Sequence, residues 1–302
     1  MSSDPAADAP YVREEIARQP DSWLRAAGLV PGLSEVLPRP GESVAVIGCG
    51  TSWFMATAYA GLREAAGHGP TDAFAASELP TGRRYDRVVA ISRSGTTTEV
   101  VRAVTALRSP VLAFTAVAGT PVADAATDTV VLDFADERSV VQTVFATTTL
   151  MLLRASLGES AEPVVAQARD VLAGQHRVDP ALLLVEQVSF LGRHWSYGVA
   201  QEAALKCREA CRLWTESYPQ MEYRHGPISI AQPGRAVWVM GDPVPGLLDD
   251  IRRTGALLVD DRLDPVVDLV RAQILAVDRA EAGGLDPDHP RSLARSVVLA
   301  DS

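Results

Sequence analysis

Four stretches in the first half of the chain, VAVIGC from Val44, RVVAIS from Arg87, PVLAFTAV and DTVVLDF, are short, β-branched and continuously apolar rather than alternating. A strand with one face in water alternates polar and apolar residues, so continuous runs mark strands covered on both faces, the condition of a parallel sheet between helices. The first two runs end in Gly/Ser/Thr turns, GCGTSW and RSGTTTEV, and pass into the helical patterns FMATAYAGLREAAG and VRAVTALR. That order is β-α-β-α. A long buried helix, VVQTVFATTTLMLLRASL, closes the unit. The plan recurs after roughly 145 residues, where VSFLGRHWSY leads into GVAQEAALKCREACRLW and AVWVMGDPVPG into LLDDIRRTGALLV. The expected architecture is α/β, with two tandem copies of a three-layer unit, each a parallel sheet flanked by helices. Residues 1–35 read as an N-terminal helical arm, 36–170 as the first domain and 171–302 as the second, with RDVLAGQHRVDPALL as the connector.

Composition removes several function classes. The 302 residues are 47% hydrophobic and 22% charged, enough to bury a sizeable core. A formal charge of −10 has the wrong sign for wrapping a phosphate backbone, so no nucleic-acid partner is expected. No apolar run reaches the roughly 18 to 20 residues that cross a bilayer, and MSSDPAADAP resembles no secretory leader, so a cytoplasmic protein without membrane contact is expected. Three cysteines, Cys49, Cys207 and Cys211, suggest packing thiols rather than a disulfide framework. No His/Cys spacing points to a metal, and neither metal nor organic cofactor is expected.

Two groups of residues carry chemistry. Thr51 and Ser52 follow one strand, and Ser92, Arg93, Ser94, Gly95, Thr96, Thr97 and Thr98 follow the next. In an open parallel sheet, ligands bind at the carboxyl ends of strands, where free helix N–H groups favour an anion. One Ser or Thr at such a turn would mean only a helix cap. Two dense hydroxyl turns on one sheet read as phosphate ligands. Neither a P-loop nor the third glycine of a dinucleotide fingerprint is present. The second group is Glu202, Lys206, Glu209, Glu216, Glu222 and His225. The first three fall three and four residues apart on one helix face, a spacing that also suits an exposed ion-pair ladder. Against the ladder stand the helix's apolar context and the fact that Lys206 is the only lysine among 28 basic residues. His225, in RHGP, sits on a turn from which an imidazole can transfer protons near neutral pH. His68, His176, His194 and His289 read as solvated.

In order, GCGTS, ISRSGTTTEV, ERSVVQTVFATTT, LGRHWSYGVAQEAALKCREA and EYRHGP resemble the motifs of the sugar isomerase (SIS) family, above all the two-domain isomerase half of glucosamine 6-phosphate synthase and related aminosugar-phosphate deaminases and isomerases. The resemblance extends from EEIARQP to HPRSLARSV. It implies tandem SIS domains and a phosphate cradle of Ser52, Ser92, Arg93, Ser94 and Thr97. Thr51, Val140 and Gln142 would face the sugar. Glu209 would transfer the proton, Lys206 assist, Glu202 complete the site and His225 open the ring, reaching across from a second subunit of a homodimer. Where the family's synthase carries an imine-forming lysine, LARSV places Arg295, which stays protonated and cannot serve as that amine. No amidotransferase region precedes the unit, so ammonia from glutamine is not expected.

The activity so implied is ring opening of a hexosamine or N-acetylhexosamine 6-phosphate and removal of its C2 proton, followed by dehydration or by isomerisation and deamination. A noncatalytic phosphosugar sensor and a ketol isomerase of a non-amino sugar phosphate are the alternatives.

Overall fold

The computed structural model describes residues 10–80 and 82–299. It has an α/β fold with parallel sheets flanked by helices. The strands of the first sheet are β1 (Val44–Gly48), β2 (Thr71–Ala75), β3 (Arg87–Ile91), β4 (Val111–Thr115) and β5 (Asp128–Val131), in the order β2-β1-β3-β4-β5. The second sheet holds β6 (Gln187–Gly192), β7 (Trp214–Pro219), β8 (Arg235–Val239) and β9 (Leu257–Val259), in the order β7-β6-β8-β9. Every pairing is parallel. Each sheet reverses its strand order beside its first strand, between β1 and β3 and again between β6 and β8, and such a switch point opens a crevice at the strand ends. The runs VAVIG and VLAFT are buried at every position, as their continuous apolar character requires.

The helices are α1 (Tyr11–Ala27), α2 (Thr51–Ala65), α3 (Thr98–Ala106), α4 (Pro121–Ala125), α5 (Val144–Ser156), α6 (Glu162–Leu172), α7 (Ser196–Cys211), α8 (Leu247–Thr254) and α9 (Pro265–Ala282). One continuous apolar cluster takes in α1, α2, α5, α7 and α9 together with the inner faces of both sheets, and Trp23, Tyr59, Phe145, Phe190 and Trp238 all lie in it. Smaller clusters lie on the outer faces, one around Val100 and Val104 of α3 and the other around Leu247 and Ile251 of α8.

Two sequence expectations change here. The stretch read as an arm is helical, but it is part of the core: Trp23 is fully buried and its indole N–H donates to Thr147 Oγ1 at 3.0 Å. Residues 1–9 of that stretch lie outside the described residues. The expected boundary at 170 falls within the last turn of α6, and the two sheets share their apolar interior.

The crossing of α2 over α7 positions the site. A Cβ on Gly198 would stand 2.5 Å from Phe54 O and 2.7 Å from Ala58 N, so only glycine lets the two backbones approach this closely. That approach sets the first residues of α2 against the polar face of α7.

Candidate active site

The first region is a small polar cavity at the switch point of the first sheet. The loops after β1 and β3 enclose a cavity of about 30 Å³ lined by Ser52, Ser92, Arg93, Ser94, Thr97 and Gln142. Ser92 is buried, and neither its Oγ nor Gln142 Oε1 has a hydrogen-bond partner among the described residues. Such buried polar atoms carry an unpaid desolvation cost that a polar ligand or a water would relieve. Gly95 (φ +64) makes the sharp turn possible, and a Cβ there would meet Thr120 Oγ1 at 2.1 Å. Cys49 also lines the cavity, its thiol pushed up to about 11, first by burial and then by the Glu99 charge, so it stays neutral beside an anion.

Arg93 lines the cavity and also supports a neighbouring loop. Its buried guanidinium donates to Ser139 O at 3.0 Å, Val140 O at 3.1 Å and Arg295 O at 3.3 Å, and lies 3.8 Å from Glu137 Oε2. These contacts hold the 137–142 loop, while Arg93 Nε is buried without a partner among the described residues. Two carboxylates that sequence reasoning did not single out complete this support. Glu137 accepts from Thr143 N at 2.5 Å, Val144 N at 2.8 Å and Phe145 N at 3.1 Å, capping the N-terminus of α5. Glu15, reaching from α1, accepts from Arg138 N at 2.6 Å and from the Ser139 hydroxyl. Burial and the nearby Glu137 charge raise the Glu15 carboxyl above its ordinary range. Val140 and Gln142 therefore sit on a loop fixed from both sides. Both carboxylates lie in quoted motif stretches; the partners of Glu15 are more than a hundred residues away and give no local signal, whereas those of Glu137 lie in the same stretch.

The second region is a buried acid–base cluster. Lys206 Nζ lies 2.5 Å from Glu209 Oε2, 3.0 Å from Thr51 Oγ1 and 3.3 Å from Glu202 Oε1. Thr51 in turn donates to Glu202 Oε1 at 3.2 Å. The three α7 residues share one face, as their spacing predicts, and they are buried rather than forming an exposed ladder. The side chains of Glu202 and Lys206 are each 1% exposed, whereas Glu209 is 19% exposed. Glu209 is the member of the group that a substrate can reach. Burial pushes the Glu202 carboxyl up to about 8; the Lys206 ammonium opposes that rise and the Glu209 charge adds to it. Burial alone would lower Lys206, but the two carboxylates outweigh it and hold the ammonium above its ordinary value. Near neutral pH the cluster thus keeps a proton on Glu202 and another on Lys206.

The sign of the Glu202 effect gives a testable consequence. Its folded value exceeds the ordinary 4.5, so the folded chain holds a proton that the unfolded chain releases. Stability therefore falls as pH rises from about 4.5 to about 8 and is level beyond it. Glu202→Gln removes this slope, and urea midpoints measured across that interval should show a flatter profile than wild type. An unchanged profile would place the titration elsewhere.

Thr51 and Ser52 join the two regions, since consecutive residues at the start of α2 serve the cluster and the cavity respectively. Other expected residues stay apart. His225 is exposed on the short turn Glu222–His225 that follows β7, and no hydrogen bond joins it to Glu209, Lys206 or Glu202. The turn itself is anchored, because Arg224 Nε binds Asp250 Oδ2 at 2.6 Å and Tyr223 is fully buried. Glu216 lies on β7 and exposed Glu222 on the turn, neither bonded to the cluster. Arg295 donates to Glu137 O and to the Asp136 carboxylate, and it also borders the cavity. Next to it Ser296, another residue missed from sequence, reaches Ser94, Thr96 and Thr97. Among the described residues no group of His, Cys, Asp and Glu could hold a metal ion, and no helix is long and apolar enough to cross a membrane.

No protein-family model matches the chain. Among curated proteins it is 26% identical over 343 residues to the isomerizing glutamine–fructose-6-phosphate aminotransferase of Methanothermobacter thermautotrophicus, covering 96% of this chain and 57% of that relative. The chain thus spans a little over half the length of the curated relative. Among solved structures it resembles glucosamine-6-phosphate deaminase from Thermotoga maritima, with a TM-score of 0.79 and 25% identity over 96% of this chain and 100% of that one. It also resembles the C-terminal domain of glucosamine-fructose-6-phosphate aminotransferase from Francisella tularensis, with a TM-score of 0.80 and 20% identity over 96% and 100%. The chain is a homologue of the sugar isomerase (SIS) region of the aminotransferases, and its structural neighbours include a glucosamine-6-phosphate deaminase.

Proposed function

We propose that this chain is an enzyme that opens the ring of a hexosamine or N-acetylhexosamine 6-phosphate and removes its C2 proton. The observation that carries the reading is the adjacency of Thr51 and Ser52. It joins a hydroxyl cradle to a buried proton-transfer cluster through two consecutive residues. The phosphate would engage Ser52, Ser92, Ser94 and Thr97, with Val140 and Gln142 beside the sugar. Glu209, the accessible carboxyl of the cluster, would take the C2 proton, which the adjacent carbonyl acidifies. Lys206 steadies the charge on Glu209, and Glu202 keeps its proton so that the cluster does not gather two buried negative charges.

His225 would open the ring. Its exposure, away from Glu209 of the same chain, supports a homodimer in which the imidazole comes from the partner. Arg295, bonded to Asp136 and Glu137, supports a reaction without an imine on this residue. The resulting enolate, with nitrogen at C2, can then be reprotonated at C1 to an imine that water hydrolyses to the ketose and ammonia, or can expel the 3-hydroxyl as water. We place the reaction in the cytoplasm and read residues 36–170 and 171–302 as two tandem SIS units. Only the first carries a cradle: the loop after β8, GDPVPG, has Asp242 and prolines where the loop after β3 has hydroxyls.

The test is a proton NMR and mass time course in deuterated water with glucosamine 6-phosphate and, separately, N-acetylglucosamine 6-phosphate. Fructose 6-phosphate with ammonia from the first identifies a deaminase, and loss of one water from the second a dehydratase. Absence of C2 exchange in both sugars overturns the assignment, and binding without exchange would mark a sensor.

A further inference from the structure

The cradle is already occupied by the chain itself. Ser296 Oγ lies 3.1 Å from Ser94 Oγ, 2.9 Å from Thr96 Oγ1 and 3.4 Å from Thr97 Oγ1, while Thr96 and Ser94 are 3.1 Å apart. Each hydroxyl has one proton to donate. The four groups make four contacts, so every hydroxyl proton is spent inside the cluster. The backbone adds to this: Thr98 N, at the start of α3, donates to Val297 O at 3.1 Å, and Leu299 N donates to Thr98 Oγ1 at 2.9 Å. A phosphate dianion only accepts. The free space beside these groups, about 30 Å³, has room for about two waters, fewer than the five heavy atoms of a phosphate group. The buried, unpartnered Ser92 Oγ on the same cavity shows that the remaining donors are arranged for a ligand not of the chain.

We propose that the 295–299 segment is an internal competitor for the anion cradle: Ser296 holds the place of a phosphate oxygen, and a sugar phosphate enters by displacing it. Lifting Ser296 leaves three hydroxyls with one mutual contact, so two protons become free for the anion. Release of Val297 O returns the Thr98 N–H, at the end of α3 where the helix dipole favours negative charge. The strap is anchored at its base by Arg295, whose carbonyl accepts from Arg93 and whose guanidinium holds Asp136 and Glu137, so displacement can be local. The inference rests on the phosphate reading of the cradle.

Titration calorimetry of the full chain with inorganic phosphate, for wild type, Ser296→Ala and Ser296→Asp, tests it. Ser296 is half-exposed at the surface, so neither variant threatens the fold. The Ser296→Ala chain should bind phosphate about three- to tenfold more tightly, the worth of about one hydrogen bond no longer broken. The Ser296→Asp chain, whose carboxylate accepts from the same hydroxyls, should bind at least about tenfold more weakly. Hydrogen exchange at the Leu299 amide should speed up when wild type is saturated with phosphate. Equal or weaker binding by Ser296→Ala overturns the proposal, because the hydroxyl would then be idle or a direct ligand. Absence of phosphate binding in all three chains overturns the cradle reading itself.

Discussion

Replacing Glu209 by Gln should abolish C2 proton exchange, lowering its rate by about two to four orders of magnitude, while phosphate binding stays within about twofold of wild type. The amide keeps the shape of the carboxylate and can still accept from Lys206 Nζ, which is 2.5 Å away in the wild-type chain. What it cannot do is take a proton. Of the cluster's two carboxyl groups Glu209 is the accessible one, at 19% exposed, whereas Glu202 is 1% exposed and its carboxyl is pushed up to about 8. The measurement is loss of the C2 proton signal in deuterated water, with binding followed separately by calorimetry. Full exchange in this variant would move the base elsewhere, and loss of phosphate affinity would mean that the change had disturbed the cradle. Glu209 lies on α7 and does not line the cradle, so the two readouts are physically separable.

What could be read from the chain alone followed the range of the interactions involved. Glu202, Lys206 and Glu209 share a helix face by spacing, and the hydroxyls of Ser92, Ser94 and Thr97 fall within one turn, so their grouping needs no tertiary information. The central strands were equally plain because burial on both faces makes them continuously apolar. The edge strands β2 (TDAFA) and β7 (WTESYP) were passed over. Each has a neighbour on one side only, and Asp72 in the one and Thr215, Glu216 and Ser217 in the other break the apolar run. The contacts that shape the site were out of reach for another reason: Thr51 meets Glu202 across 151 residues, Glu15 meets Ser139 across 124, and Ser296 meets Ser94 across 202. Arg93 shows the limit best. Its position beside the cradle was expected, but the direction of its guanidinium depends on Ser139, Val140 and Glu137, which arrive from another part of the chain.

Lys206→Met should destabilise the fold by about 3–5 kcal/mol at neutral pH, the cost typical of removing one partner from a buried ionic group. Methionine nearly fills the space, so the loss is electrostatic rather than a cavity. Without the ammonium, Glu202 and Glu209 face each other in a site where each opposes the other's ionisation, and Thr51 loses the donor 3.0 Å away. The pH dependence separates this cause from poor packing. Carboxyls that resist ionisation when folded bind protons more tightly than in the unfolded chain, so their penalty grows as pH rises above the ordinary carboxyl range and fades below it. Lys206 acts in the opposite sense: its folded value is raised, so its contribution is fully present below the ordinary lysine range and is lost only as pH rises through the folded value. The deficit of Lys206→Met relative to wild type should therefore be small near pH 4, large at pH 7 and smaller again in strong alkali. Adding Glu202→Gln to Lys206→Met should recover part of the stability at pH 7, since the unfolded chain then no longer gains by ionising a carboxyl that the folded site keeps protonated. Urea midpoints for both variants across this range are the measurement. A deficit independent of pH, or no recovery in the double variant, would show that Lys206 supports the fold by packing and that the cluster is not the coupled charge system its distances describe.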